Sequence, residues 1–211
     1  MPILEIKTLS ATRSLVLWNM TESLDHLLDM ISLNAAEKGT LKSIKNEIKQ
    51  KEWLTGRLAI RELAVSMGLN YKGVSKNEFG KPYLEQNNGE ISLSHSYPYV
   101  AAIYDRQTEV GVDLEQPTPK LKLIAKKFLS DSERNYVGGN ITKLCIYWCA
   151  KEALYKIYGK RGLIFKENLL IRPFELSSDG VISGSIIVNK VEKKYNLQYN
   201  VKQGFVLVYN V

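Results

Sequence analysis

Twice along this chain a stretch of apolar residues at helical spacing gives way to short segments of strand character, and that order limits the fold more than any other feature. Leu15-Val16-Leu17-Trp18 reads as an early strand, Thr21 as a helix N-cap, and Leu24, Leu27, Leu28 and Ile31 as the apolar stripe of the helix that follows. From about Leu41 to Met67, apolar Ile44, Ile48, Leu54, Leu58, Leu63 and Val65 predict a second, long helix, with Gly68 as its stop. A turn over Asn77 to Pro82 then leads to strands at Ile91 to Ser94, Tyr99 to Tyr104 and Val110 to Leu114. The second half repeats the order, with helices over Leu121 to Leu129, Asp131 to Val137 and Ile141 to Tyr158. Strands follow near Leu169 to Leu176, Val181 to Val188, Tyr195 to Val201 and Phe205 to Val208. Pro117 to Lys122, with two prolines and two lysines, reads as the linker or crossover between the halves. Helices followed by antiparallel strands in both halves predict an α+β duplication, although residue identity between the halves is too weak to establish a repeat.

The 211 residues, 45% of them hydrophobic, are enough for a core in one large or two small domains. No apolar run approaches the roughly 20 residues that a membrane-spanning helix needs. Met1-Pro2-Ile3-Leu4-Glu5-Ile6-Lys7 lacks the charged-then-apolar layout of a signal peptide, so a cytoplasmic location is expected. Cys145 and Cys149, four apart in one predicted helix, provide no disulfide framework and are expected to be small buried residues. With only His26 and His95 besides, a zinc site is not expected; a metal here would be hard and bound by oxygen. The net charge of +7 favours anionic partners without choosing among nucleotides, nucleic acid and acidic proteins.

The chemistry concentrates in two segments, Gly111-Val112-Asp113-Leu114-Glu115 and Trp148-Cys149-Ala150-Lys151-Glu152-Ala153-Leu154-Tyr155-Lys156. Asp113 and Glu115, two apart in a strand, share one face; Glu152 and Lys156, four apart in a helix, do the same. Magnesium keeps several waters, so two or three carboxylates and a phosphate suffice to hold it, and Asp113, Glu115 and Glu152 meet that need. Taken singly, Asp113 also suits a strand-end turn, and Glu152 with Lys156 a surface salt bridge. Ile91-Ser92-Leu93-Ser94-His95-Ser96 ends a strand in groups able to bond phosphate, and Gly80-Lys81-Pro82 places a cation on a rigid turn.

As a set, Phe79-Gly80-Lys81-Pro82, Ser92-Leu93-Ser94-His95-Ser96, Gly111 to Glu115 and Trp148 to Lys156 resemble the 4'-phosphopantetheinyl transferases of the long, surfactin-synthetase-activating type. Gly56-Arg57-Leu58 and Gly159-Lys160-Arg161-Gly162-Leu163 look similar too. The resemblance implies a pseudo-twofold pair of α+β halves, each a small antiparallel sheet packed with helices. Residues 1–109 would carry the coenzyme A nucleotide contacts and residues 110–211 the magnesium site and catalytic helix. It implies a holo-acyl-carrier-protein-synthase type of reaction: transfer of phosphopantetheine from coenzyme A to a serine of an apo acyl or peptidyl carrier protein, releasing adenosine 3',5'-bisphosphate. It also implies a monomer, since the short trimeric synthases are about half this length.

Carried over residue by residue, Asp113, Glu115 and Glu152 would bind magnesium, and Lys156 would reach the same phosphates and support the leaving group. Arg57, Lys76, Lys81, Pro82, Ser94 and His95 would line the nucleotide side, while Lys45, Lys49 and Lys51 compete for a further 3'-phosphate contact. Glu133, in Phe128-Leu129-Ser130-Asp131-Ser132-Glu133, is the candidate general base, with Glu152 or a metal-bound water as alternatives. Lys151 is left to the fold. A nucleoside-triphosphate phosphotransferase is disfavoured by the lack of a Gly-x-x-x-x-Gly-Lys-Ser/Thr loop and of a kinase-like Gly-rich loop. A nucleic-acid-binding module would use the charge and the 12 tyrosines, but no recognised nucleic-acid motif accompanies them, so no nucleic acid and no membrane partner are expected.

Overall fold

The computed structural model describes residues 2–211, so Met1, at the head of the stretch read for a signal peptide, lies outside it. The chain divides into two compact units, one ending at Glu109 and the other running from Val110 to Val211. Among the described residues no helix is long and apolar enough to cross a membrane.

The first unit contains β1 (Ile3–Thr8), β2 (Arg13–Asn19), α1 (Leu24–Asp29), α2 (Ala35–Ser43), α3 (Glu47–Ser66), β3 (Val74–Lys76), β4 (Pro82–Leu84), β5 (Glu90–Ser96) and β6 (Tyr99–Asp105). Its antiparallel sheet has the order β1-β2-β6-β5-β4-β3. Leu54, Leu58 and Leu63 of α3 pack with Val16 and Trp18 of β2 and with Val100 and Ala102 of β6, all fully buried. The expected helix from Leu41 to Met67 is two helices. The Asn46 side chain accepts from the Lys49 amide at 3.1 Å, which starts α3 afresh after α2 has ended at Ser43. Ser23, not Thr21, caps α1, accepting from the His26 amide. Gly68 follows α3 at φ +69, where a left-handed residue ends the helix as expected.

The second unit contains β7 (Val112–Glu115), α4 (Lys120–Phe128), α5 (Asp131–Val137), α6 (Ile141–Tyr158), α7 (Phe165–Asn168), β8 (Leu169–Ile171), β9 (Asp179–Val188), β10 (Val191–Lys202) and β11 (Phe205–Asn210). The sheet order is β7-β11-β10-β9-β8, again antiparallel. Pro117 to Lys122 is not the linker expected: the units divide ahead of it, and Pro119 leads directly into α4. The strand expected from Leu169 to Leu176 stops at Ile171. Arg172 donates one more bond, to the Ser183 carbonyl, and Pro173 then has no N–H to continue the ladder.

The fold is therefore α+β, two antiparallel sheets each packed with helices. Without β1, the first sheet reads β2-β6-β5-β4-β3, and the second reads β7-β11-β10-β9-β8. In both units the first of these strands pairs with the last, and helices fill the crossover. The two units thus share a strand order.

Helix α6 is buried nearly all round, with Leu144, Ile146, Tyr147, Ala150, Leu154 and Ile157 in the core, which suits a helix enclosed by its own unit. It lies so close to the chain at Gly111 that a Cβ there would meet the Ala153 carbonyl oxygen at 2.1 Å and Ile157 Cγ1 at 2.8 Å. Gly111→Ala is expected to push α6 from β7 and to lower stability by about 1–3 kcal/mol or more, read as a lower urea midpoint.

Candidate active site

Val112 and Leu114 of β7 are buried, and the strand sets Asp113, 6% exposed, toward α6. Lys156, in the last turn of α6, donates to Asp113 Oδ1 at 2.7 Å and to the Val112 carbonyl at 2.8 Å. Glu152 stands one turn earlier on the same helix face. Burial, and after it the Asp113 charge, pushes the Glu152 carboxyl up to about 7, with Lys156 partly opposing. The three side chains form a compact acidic pair with a cation on one side.

The raised Glu152 carboxyl has a consequence for stability. The group ionises near 4.5 in an unfolded chain and near 7 in the folded one, so the folded state loses stability as pH rises through that window. Glu152→Gln removes the penalty. With divalent ions chelated, the variant is expected to gain on the parent protein between pH 5 and pH 8, by on the order of 1–3 kcal/mol at the upper end, in urea titrations.

The donor set suits a hard divalent cation, because two oxygen donors that repel each other are relieved by positive charge between them. Lys156 supplies part of that relief. Glu115 closes β7, where its Oε1 accepts from the Gln116 amide at 2.8 Å. Among the described residues no three His, Cys, Asp or Glu side chains converge as a group of metal ligands.

Glu133 is 5% exposed at the third position of α5, where it and Ser130 form a capping box. Its Oε2 accepts from Lys151 Nζ at 2.6 Å and from the Ser130 amide at 2.8 Å, while Oε1 accepts from the Ile171 amide at 2.9 Å. Lys151, fully buried, also donates to the Phe128 and Phe165 carbonyls at 2.7 and 3.3 Å. Burial lowers the Lys151 ammonium and the Glu133 carboxylate counters it. This pair fastens α5, α6 and β8 together and engages both oxygens of Glu133. Cys145 and Cys149 are buried in α6, as expected of small core residues.

In the first unit, β5 carries Ser94, buried, and His95, half exposed. His95 Nδ1 lies 3.4 Å from Glu52 Oε2, which also accepts from Lys49 at 2.6 Å. Lys76 sits across from Pro82 in the β3–β4 ladder, and Lys81 Nζ is 2.5 Å from Glu90 Oε2. Arg57 stacks 3.2 Å over the Trp53 ring and reaches Glu37 Oε1 at 3.2 Å. Burial pulls its guanidinium down and Glu37 pushes it back up. Arg57 thus braces α3 against α2. Glu37 and Glu52 were not singled out from sequence: Glu37 lies ahead of the periodic apolar stretch, and Glu52 lies within it as one charged residue among several. Only the Asn34-x-x-Glu37 capping box was there to be found.

No curated protein matches the chain in a sequence search. A family model does match it: residues 109–208, nearly the whole second unit including Asp113, Glu115, Glu133, Glu152 and Lys156, match that of the 4'-phosphopantetheinyl transferase superfamily.

Proposed function

We propose that this protein transfers the 4'-phosphopantetheine arm of coenzyme A to a serine hydroxyl of an apo carrier protein, in a magnesium-dependent reaction of the long-type enzymes. The observation that carries the proposal is the cluster of Asp113, Glu152 and Lys156 inside the stretch that matches the superfamily. In the transfer, the serine oxygen forms a bond to the phosphorus bearing pantetheine. The bond from that phosphorus to the bridging oxygen breaks, and adenosine 3',5'-bisphosphate leaves with the electron pair.

Asp113 and Glu152 would hold the magnesium, with phosphate oxygens and water completing its shell; when bound, the ion neutralises charge on the pyrophosphate. Lys156, already held in place by Asp113 and the Val112 carbonyl, offers a preorganised cation for the departing bisphosphate. A serine hydroxyl needs a base near neutrality, and Glu152 or a water on the magnesium it would hold is assigned that task. Glu133 is better placed as a brace, since both its oxygens already accept strong bonds. In the first unit, His95, Ser94, Lys81, Pro82 and Lys76 are assigned to the nucleotide end, with Arg57 positioning the helix that carries Glu52.

The test is mass spectrometry of a panel of apo fatty-acid, polyketide and peptide-synthetase carriers incubated with the protein, coenzyme A and magnesium. A gain of one phosphopantetheine on the carrier serine is expected; no gain on any carrier would overturn the proposal.

A further inference from the structure

Strand β1 stands outside the strand order that the two sheets share, and it contributes little to its own unit's core. Only Ile3 packs there; further along, Leu4 and Ile6 are 52% and 43% exposed. The strand occupies the end of its sheet, bonded to β2 on one side. Its one irregularity lies between Ile3 and Glu5, so the stretch from Glu5 to Thr8 is a regular open edge.

Proteins defend such edges with proline, with bulges or with charged side chains. Here the two charges have opposite signs and flank an exposed isoleucine: Glu5, Ile6, Lys7. An antiparallel strand of identical sequence, related by a twofold axis at Ile6, sets Ile6 against the partner's Ile6. The same register sets Glu5 against the partner's Lys7 and Lys7 against the partner's Glu5, two attractive cross-strand pairs on one face. An axis at Glu5 would instead face glutamate with glutamate, and one at Lys7 lysine with lysine. Among these three registers the charge pattern favours the one about Ile6.

We propose that β1 is a homodimer seam, the first unit's sheet continuing into that of a second copy of this chain, in place of the monomer that the family resemblance implies. The contact is isologous, as a twofold dimer requires, and its small area makes it weak and concentration-dependent. It does not depend on the transfer reaction.

Sedimentation velocity of the full chain over a wide concentration range tests it. A dimer is expected, with Glu5→Lys or Lys7→Glu each raising Kd about ten-fold or more, because attraction becomes repulsion at both pairs. The double variant E5K/K7E restores the opposite signs and is expected to recover the parent Kd within a factor of about three. Both side chains belong to an exposed strand, and circular dichroism checks that each variant is folded. A monomer at every concentration, a dimer indifferent to the single changes, or a double variant that fails to recover would each overturn the proposal.

Discussion

Lys151→Met is expected to lower the unfolding free energy by about 3–5 kcal/mol, measured by urea titration. The substitution keeps most of the side-chain volume, so the loss would come from charge and hydrogen bonding rather than from a cavity. It leaves the Glu133 carboxylate buried without its cation and the Phe128 and Phe165 carbonyls without their shared donor. Glu133→Gln is expected to cost a similar amount, since it strands Lys151 in the same place. Combining the two should cost clearly less than the sum, because neither partner then carries an uncompensated charge, and the Gln oxygen still accepts from one of the Ser130 and Ile171 amides. Additive losses would show that the two side chains act separately and that the ion pair is not what joins α5 to α6.

Asp113→Asn and Glu152→Gln are each expected to reduce carrier modification by about 10²–10³-fold, measured as kcat with coenzyme A and magnesium saturating. The two changes should part company in stability. Glu152→Gln relieves a buried repulsion and strengthens the fold above neutral pH, whereas Asp113→Asn weakens the bond that holds Lys156. A variant that loses turnover while gaining stability ties Glu152 to chemistry rather than to folding. Glu133→Gln, assayed well below its melting temperature, is expected to retain transfer within about ten-fold of the parent. A loss as deep as that of Glu152→Gln would move the general base to Glu133.

Where cap residues bracket a segment on both sides, sequence and structure agree. Helices α5 and α6 begin and end at the residues expected, because Ser130, Asn140, Gly138 and Gly159 mark their ends unmistakably. Elsewhere the determining signal was a single atom rather than a pattern. The Asn46 oxygen splits one long apolar stripe into α2 and α3, and the missing N–H of Pro173 shortens β8. Strands β3 and β4, three residues each, are too short to show a period of two, and β1 alternates only on an exposed edge. For the candidate site, spacing sufficed to pair Glu152 with Lys156, since a helix fixes which residues share a face. Spacing was silent on Lys151 and Glu133, whose bond joins two helices and depends on tertiary packing.

The second unit joins its first strand to its last, and this has a meaning in time as well as in space. β7, which carries Asp113, finds its sheet partner in β11, and Gly111 is clasped by the Asn210 side chain, 99 residues further along. A chain emerging from the ribosome has made the whole of α6, with Glu152 and Lys156, well before anything exists to seat β7 in a sheet. Such distant pairing is slow to form and is the last part of the unit that can close. The acidic pair is therefore assembled only when synthesis has passed β11, and a nascent chain halted short of that point holds the residues of the site without the site.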